Sequence, residues 1–445
     1  MNKPRYIALL ILALLPFGLH AQQLTIDSCF SLARRNNSDL QKAALDIRMA
    51  QEVKRQLFTK FFPSIDATGL GFYAAQPLVG IDVTSIAQTE DFRDLLEAVY
   101  ELLHETDPNV SKELSWIKQG YLLSAKAVQP IYAGGRILNG NRLANVGVEA
   151  AQFKAQVSER DILQEVEETY WLLSGLYEKR HTVTQVRQLL DTISLVAQTA
   201  FDAGVVTNND LLKVQLKKNE IETQALRLEN GIRLATHALC HQLGIPVQDS
   251  LPLQSLPTEN IAELQLNTAI NPQHRPEYHL LDLNVKAEEL RRQLILGEAL
   301  PTLAIGGSVS TSNLFEQNRN NAIVFAVASI PLSEWWNTSH KIKEADIKVQ
   351  EAQLMRDDLQ GKMHLQNEQV YNALTEAARL MGQHQSAILM AQDNYDLSLA
   401  NYEAGLATMS ELLESQALLL QAQNNYTDSR ITYRTNLRKF KQLNK

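Results

Sequence analysis

The chain has 445 residues, of which 45% are hydrophobic and 21% charged, a balance that excludes a disordered chain and a polytopic bundle of membrane helices. A formal charge of −8 without a basic domain excludes an ordinary nucleic-acid binder. Two cysteines, Cys29 and Cys240, allow one bridge at most, and only 13 prolines and 19 glycines interrupt the chain, which points to long helices.

Residues 1–21 read as a secretory signal peptide. Lys3 and Arg5 precede an apolar run from Tyr6 to Leu19, and Ala21 supplies the small residue at a cleavage point. About 14 apolar residues fall short of the ~20 needed for a membrane span. Cys29 follows in polar surroundings and at a distance that does not suit a lipid anchor.

A helix is expected over about residues 27–60, then a strand over about 64–74. An extra loop of about 75–120 follows, containing a helix from Thr89 to His104. A second strand spans about 121–130, with Tyr121, Leu123, Ala125 and Ala127 on one face and Ser124 and Lys126 on the other. Ala133-Gly134-Gly135-Arg136 reads as a strand-to-helix turn rather than a phosphate loop. From Arg136 to about Ala200 there is no proline, and Leu163, Val166, Tyr170, Leu173 and Tyr177 step by three and four in a coiled-coil seam. Such a helix would be roughly 100 Å long. Gly204 and Thr207 to Asn209 then supply a helix stop and a new N-cap, and a shorter helix returns over about 210–243.

The pattern then repeats. Phe201-Asp202-Ala203-Gly204 through Asp210-Leu211-Leu212 returns as Tyr402-Glu403-Ala404-Gly405 through Glu411-Leu412-Leu413, at an offset of 201. The same offset takes Pro130 to Pro331, which mark the strand–helix joints, as well as Glu167 to Glu368 and Tyr170 to Tyr371. Upstream, Phe62-Pro63 matches Leu300-Pro301 at an offset of 238, and the difference of 37 measures the extra loop of the first copy. The chain is a tandem duplication. The domain reading is a first repeat over 22–243, a linker over 244–270 and a second repeat over 271–445. The second repeat has strands at about 302–311 and 321–330 and a tip at about 402–411, matching the first tip at about 201–210.

The second pair of strands alternates as the first does, with Leu303, Ile305 and Val309 set against Thr302, Ser308 and Ser310. Four strands of about ten residues have the length a tilted strand needs to cross an outer membrane, and Trp335-Trp336 after the last could anchor at a lipid interface. Four strands cannot close a barrel, and lipid does not tolerate an open sheet edge, so the chain must oligomerise.

Enzymatic signals are sparse. His237 and His241 flank Cys240 at a spacing that could hold a metal, but no glutamate stands where a zinc protease needs one, and no Gly-x-Ser-x-Gly or phosphate-binding loop occurs. Arg434, Arg438, Lys439, Lys441 and Lys445 read as a solvated helix end complementing its dipole. No catalytic residue, metal or cofactor is assigned.

The duplicated tip motif, the proline-marked joints and the leader resemble the TolC family of outer-membrane efflux channels, over about residues 24–443. That resemblance implies a mainly α fold with a transmembrane β part. Long coiled-coil hairpins form an α-barrel, and four strands per chain contribute to the twelve-stranded β-barrel of a homotrimer. It implies a passive export duct across periplasm and outer membrane, energised by an inner-membrane transporter through a periplasmic adaptor. The adaptor would dock at the tips around Gly204, Gly405, Thr207 and Thr408. Glu411 and Glu414 would ring the constricted lumen, where like-charge repulsion would raise the pKa of some carboxylates. Asp210 and Tyr402 would form a closing link between neighbouring coils. Ala407 stands where some members carry a basic residue of a second link, so the closed state is expected to be held differently. The alternatives are a periplasmic adaptor or structural coiled-coil protein that does not span the membrane, and a secreted metalloenzyme around His237 and His241.

Overall fold

The computed structural model describes residues 23–76, 79–82, 90–106, 113–116, 119–204, 206–257, 272–313 and 318–443. The leader, much of the linker and parts of the extra loop lie outside the described residues.

In chain order the elements are α1 (Ile26–Asn36), α2 (Ser38–Phe58), β1 (Ser64–Tyr73), β2 (Val79–Asp82), α3 (Glu90–Thr106), β3 (Glu113–Trp116), β4 (Gln119–Ala133), α4 (Arg136–Asp202) and α5 (Asn208–Leu243). The second copy follows as α6 (Pro276–Glu298), β5 (Thr302–Ser312), β6 (Arg319–Ser329), α7 (Glu334–Glu403) and α8 (Met409–Leu443). None of these helices is long and apolar enough to cross a membrane. The chain divides into two compact units, one of residues up to Met49, Glu149–Asn284 and Ala352–Lys445, the other of Ala50–Val148 and Val285–Glu351.

The first unit is helical. The α4 seam is buried as its spacing requires: Leu163, Val166, Tyr170 and Leu173 are at most 4% exposed, in a core shared with α1, α5 and Leu251 and Leu256. A second core fills the hairpin ends, where Leu190, Val214, Ile221, Met409 and Leu412 meet. The first helix is not continuous. Asn37 divides it into α1 and α2, since its Oδ1 accepts from the N–H groups of Asp39 and Leu40 while its Nδ2 donates to the Gln242 carbonyl at 2.8 Å. A buried asparagine therefore ends one helix, caps the next and ties the break to the end of α5.

This core also corrects the solvated-end reading for Arg434 and Arg438, whereas Lys441 is exposed and Lys445 lies outside the described residues. Arg434 stacks over Trp171 at 4.6 Å and Arg438 over Phe30 at 4.9 Å, while Arg438 pairs with Glu167 at 3.1 Å. Arg430 belongs to the same ladder. Its Nη1 donates to Glu178 at 2.7 Å and its Nη2 to the Leu256 carbonyl at 2.6 Å. Burial pushes the Glu167 carboxyl up, against the lowering pull of Trp171 and the cations beside it.

The second unit holds an antiparallel sheet of order β1-β4-β5-β6, with a separate β2–β3 pair in the extra loop. The loop helix α3 is acidic, with Leu95, Val99, Leu102 and Leu103 exposed along one stripe. Pro130 does not mark a joint. It lies within β4, where the register to β5 shifts between Pro130 and Tyr132, and the bulge accommodates a residue that has no N–H to donate. The joint itself is Gly134-Gly135, both at positive φ of 61° and 75°. A Cβ on Gly134 would stand 2.2 Å from the Gly297 carbonyl oxygen of α6, so only glycine admits this approach. Pro331 does stand at a joint, accepting from the Glu334 N–H at 3.2 Å where α7 begins. Trp335 is half-exposed and donates to the Ala299 carbonyl at 2.9 Å, and Trp336 is exposed.

Candidate functional site: hairpin tips and a two-faced sheet

Both tips are built the same way, which gives the repeated motif a physical reason. The glycine of each turn has positive φ, 75° at Gly204 and 73° at Gly405, and each stops a long helix. Three residues past each glycine, a threonine caps the return helix. The Asp210 N–H donates to Thr207 Oγ1 at 3.3 Å, and the Thr207 hydroxyl and N–H both donate to the Asp210 carboxylate, at 2.7 and 3.4 Å. At the second tip the Glu411 N–H donates to Thr408 Oγ1 at 3.3 Å, and the Thr408 N–H and hydroxyl donate to Glu411 at 2.7 and 3.0 Å. These are reciprocal capping boxes. The leucines that follow anchor the turns, since Leu211, Leu412 and Leu413 are buried in the tip core.

The boxes fix the electrostatics of the acids. The Thr207 hydroxyl, its N–H and Lys213 hold the Asp210 carboxyl below its ordinary value, and the Thr408 N–H and hydroxyl do the same for Glu411. Within one chain Glu411 thus sits low, not high, because donors rather than like charges surround it. Glu414, one turn further along α8, is exposed. Asp210 and Tyr402 are brought to one tip region. Burial raises the Tyr402 phenol and the nearby Asp210 charge raises it further. In the single chain, Thr207 and Lys213 rather than Tyr402 hold the Asp210 carboxylate. Lys213 also donates to Ser410 at 2.7 Å, joining the return helices of the two repeats, a link that the motif comparison did not bring out.

The sheet separates its residues by register. Ala67, Ala125, Val309 and Ala322 form one row, and Ile65, Ala127, Gly307 and Val324 the next row on that face. The opposite face carries the rows Asp66, Lys126, Ser308, Ile323 and Thr68, Ser124, Ser310, Asn321. Every charged residue of the four strands (Asp66, Lys126 and Arg319) falls on this second face, and none on the first. The first face is nonetheless exposed, with Ile65 at 75% and Val324 at 91%. An uncharged, exposed face backed by one that carries every charge is the pattern of a lipid-facing strand set. Strands β1 and β6 are the open edges.

The histidine and cysteine pattern gathers no metal site: among the described residues no cluster of three ligating side chains occurs. Cys29 and Cys240 are both free and lie in the same buried core, where desolvation pushes the Cys29 thiol up to about 12.

Residues 29–244 match the family model described as outer membrane efflux protein, a span ending one residue beyond α5. No curated protein matches the sequence. Solved structures match over 94% of the chain. One is the outer-membrane channel OprN, with a TM-score of 0.76, 13% identity and 89% of that chain covered. Another is the outer membrane protein VceC of Vibrio cholerae, with a TM-score of 0.74, 14% identity and 96% covered. A third is the outer membrane channel CmeC of Campylobacter jejuni, with a TM-score of 0.75, 15% identity and 85% covered. At these identities the likeness establishes the fold. The first repeat thus matches the outer membrane efflux protein family, and the likeness of fold to outer-membrane channels extends over 94% of the chain.

Proposed function

We propose that three copies of this chain close a twelve-stranded barrel in the outer membrane and continue into a helical duct, forming the passive exit channel of a tripartite efflux or type I secretion system. The observation that carries this reading is the sheet. Its uncharged face suits lipid, yet β1 and β6 each leave a row of backbone groups unpaired. In hydrocarbon such an edge costs several kcal/mol per unsatisfied group, and pairing β1 of one copy with β6 of the next removes the cost.

The tips carry the rest of the proposal. The two turns at Gly204 and Gly405, with their caps Thr207 and Thr408, form the rigid ends that receive a periplasmic adaptor, and an inner-membrane transporter supplies the energy. Asp210 of one hairpin and Tyr402 of a neighbour hold the duct closed. Glu414, exposed and outside the capping box, and Glu411 with its charge kept by the box, ring the narrow lumen and favour cations. With Ala407 in place of a basic residue, the Lys213–Ser410 contact is the candidate for the second restraint on opening.

Light scattering of the particle extracted by detergent from outer membranes tests the assembly. A protein mass of three chains is expected; a monomer, or recovery only from the soluble periplasm, would overturn it. In bilayer recordings Glu414→Gln is expected to weaken block by multivalent cations, and unchanged block would remove the ring assignment.

A further inference from the structure

We infer that Asp66, Lys126 and Phe325 form a charge-balanced belt on the inner wall of the β-barrel, remote in sequence from the tips, in which each charge offsets the ion preference the other would impose. The inference rests on the closed-barrel reading above.

Asp66 and Lys126 are direct cross-strand partners on β1 and β4, on the face that carries every charge of the sheet. If the uncharged face meets lipid, this face meets the water of the lumen. Opposite charges paired on one face of a sheet interact favourably, and both side chains are exposed here. Phe325 sets the height and direction of the cation. It is paired with Gly306, and a Cβ on Gly306 would stand 2.6 Å from the Phe325 ring. The missing side chain therefore lets the ring lie across β5 until it reaches β4, where the Lys126 ammonium sits 5.5 Å from its centroid. Beside this row, Thr68 and Ser124 share a hydrogen bond of 2.7 Å, which supplies a polar step next to the charges.

Three copies would place three carboxylates and three ammonium groups at one level of the wall. Their charges balance, so the belt as built favours neither sign of ion strongly, but removing either partner uncovers the other. Rings of fixed charge select ions by sign in narrow pores. The solutes that would respond to an uncovered partner are ions that pass within a Debye length of the wall, about 8 Å at physiological salt.

The test uses the full-length protein in planar bilayers under a salt gradient. Lys126→Gln is expected to shift the reversal potential toward cation preference and Asp66→Asn toward anion preference. Reversal potentials equal to that of the parent for both variants would overturn the belt while leaving the channel intact. No channel from the parent protein would instead overturn the duct reading itself. A second measurement does not depend on conductance. In intact cells, a membrane-impermeant maleimide should label Lys126→Cys but not Ala125→Cys, whose side chain is on the other face. Equal labelling of the two, or labelling of Ala125→Cys alone, would place the belt off the inner wall.

Discussion

Thr207 and Thr408 each satisfy two needs of a sharp turn between long helices: a hydroxyl for an orphan amide, and a donor that keeps the following acid ionised. Thr207→Ala removes both, and loss of an N-cap costs about 1 kcal/mol, or roughly fivefold in the local opening equilibrium. The expected outcome is faster hydrogen exchange confined to the first turn of α5, and exchange unchanged there would count against the capping account. The same boxes carry a pH dependence. Asp210 and Glu411 both titrate lower in the folded tip than free. Their contribution is therefore fully present above the ordinary carboxylate values, about 3.9 and 4.3, and is lost as pH falls below them. Acidification through that window should fray both tips, read as accelerated exchange at both return-helix starts. Accelerated exchange on raising the pH instead would reverse the sign and refute the assignment. Cys29 shows the opposite case of a group kept neutral: with its pKa near 12 and no exposed surface, it should resist thiol reagents until the helical core is unfolded.

At the scale of elements, helix lengths and strand positions were largely legible because each depends on local pattern. The three-and-four spacing from Leu163 to Leu173 led directly to the buried stripe of α4. Strand alternation at Leu303, Ile305 and Val309 led to one face of β5. What escaped were features set by partners distant in sequence. Pro130 looks like punctuation, but a bulge against β5 absorbs it inside β4. Asn37 sits in an unbroken helical pattern, and its role as a double cap depends on the carbonyl of Gln242. The arginines of α8 read as a solvated basic end because nothing local announces the aromatic faces of Trp171 and Phe30. Their spacing, Arg430, Arg434 and Arg438 on one helical face, was the available signal. Arg430 is the member with most to lose, being 7% exposed with a carboxylate and two carbonyls as acceptors. Hydrogen bonds to a charged group contribute about 1.5–3 kcal/mol, so Arg430→Ala should lower the thermal midpoint of the extracted protein and loosen the 251–257 segment first. A midpoint equal to the parent's would make the ladder ornamental. Gly134→Ala belongs with it, since the strand-to-helix joint has neither the φ nor the space for a methyl group.

For the whole molecule, the decisive property is which side of the sheet can leave water. A sequence shows alternation within each strand, but which residues share a row depends on register, and register is a property of paired strands. Here the register gathers the separate alternations of β1, β4, β5 and β6 into one face without charge and one with all of it. The tip acids, by contrast, could be placed from the repeat but not given a lumen, because one chain supplies only part of any ring. A barrel makes an asymmetric prediction that a soluble sheet of the same strands does not. An arginine on the lipid face costs about 2–4 kcal/mol at mid-membrane, while one on the lumen side costs little. Val309 is 59% exposed on the uncharged face, and Ser310 follows it on the other. Val309→Arg should therefore fall out of the trimeric outer-membrane fraction, whereas Ser310→Arg should assemble and alter conductance. A soluble sheet with both residues exposed would tolerate the two alike. Equal recovery of both variants would therefore return the four strands to water and remove the ground for closing them into a barrel.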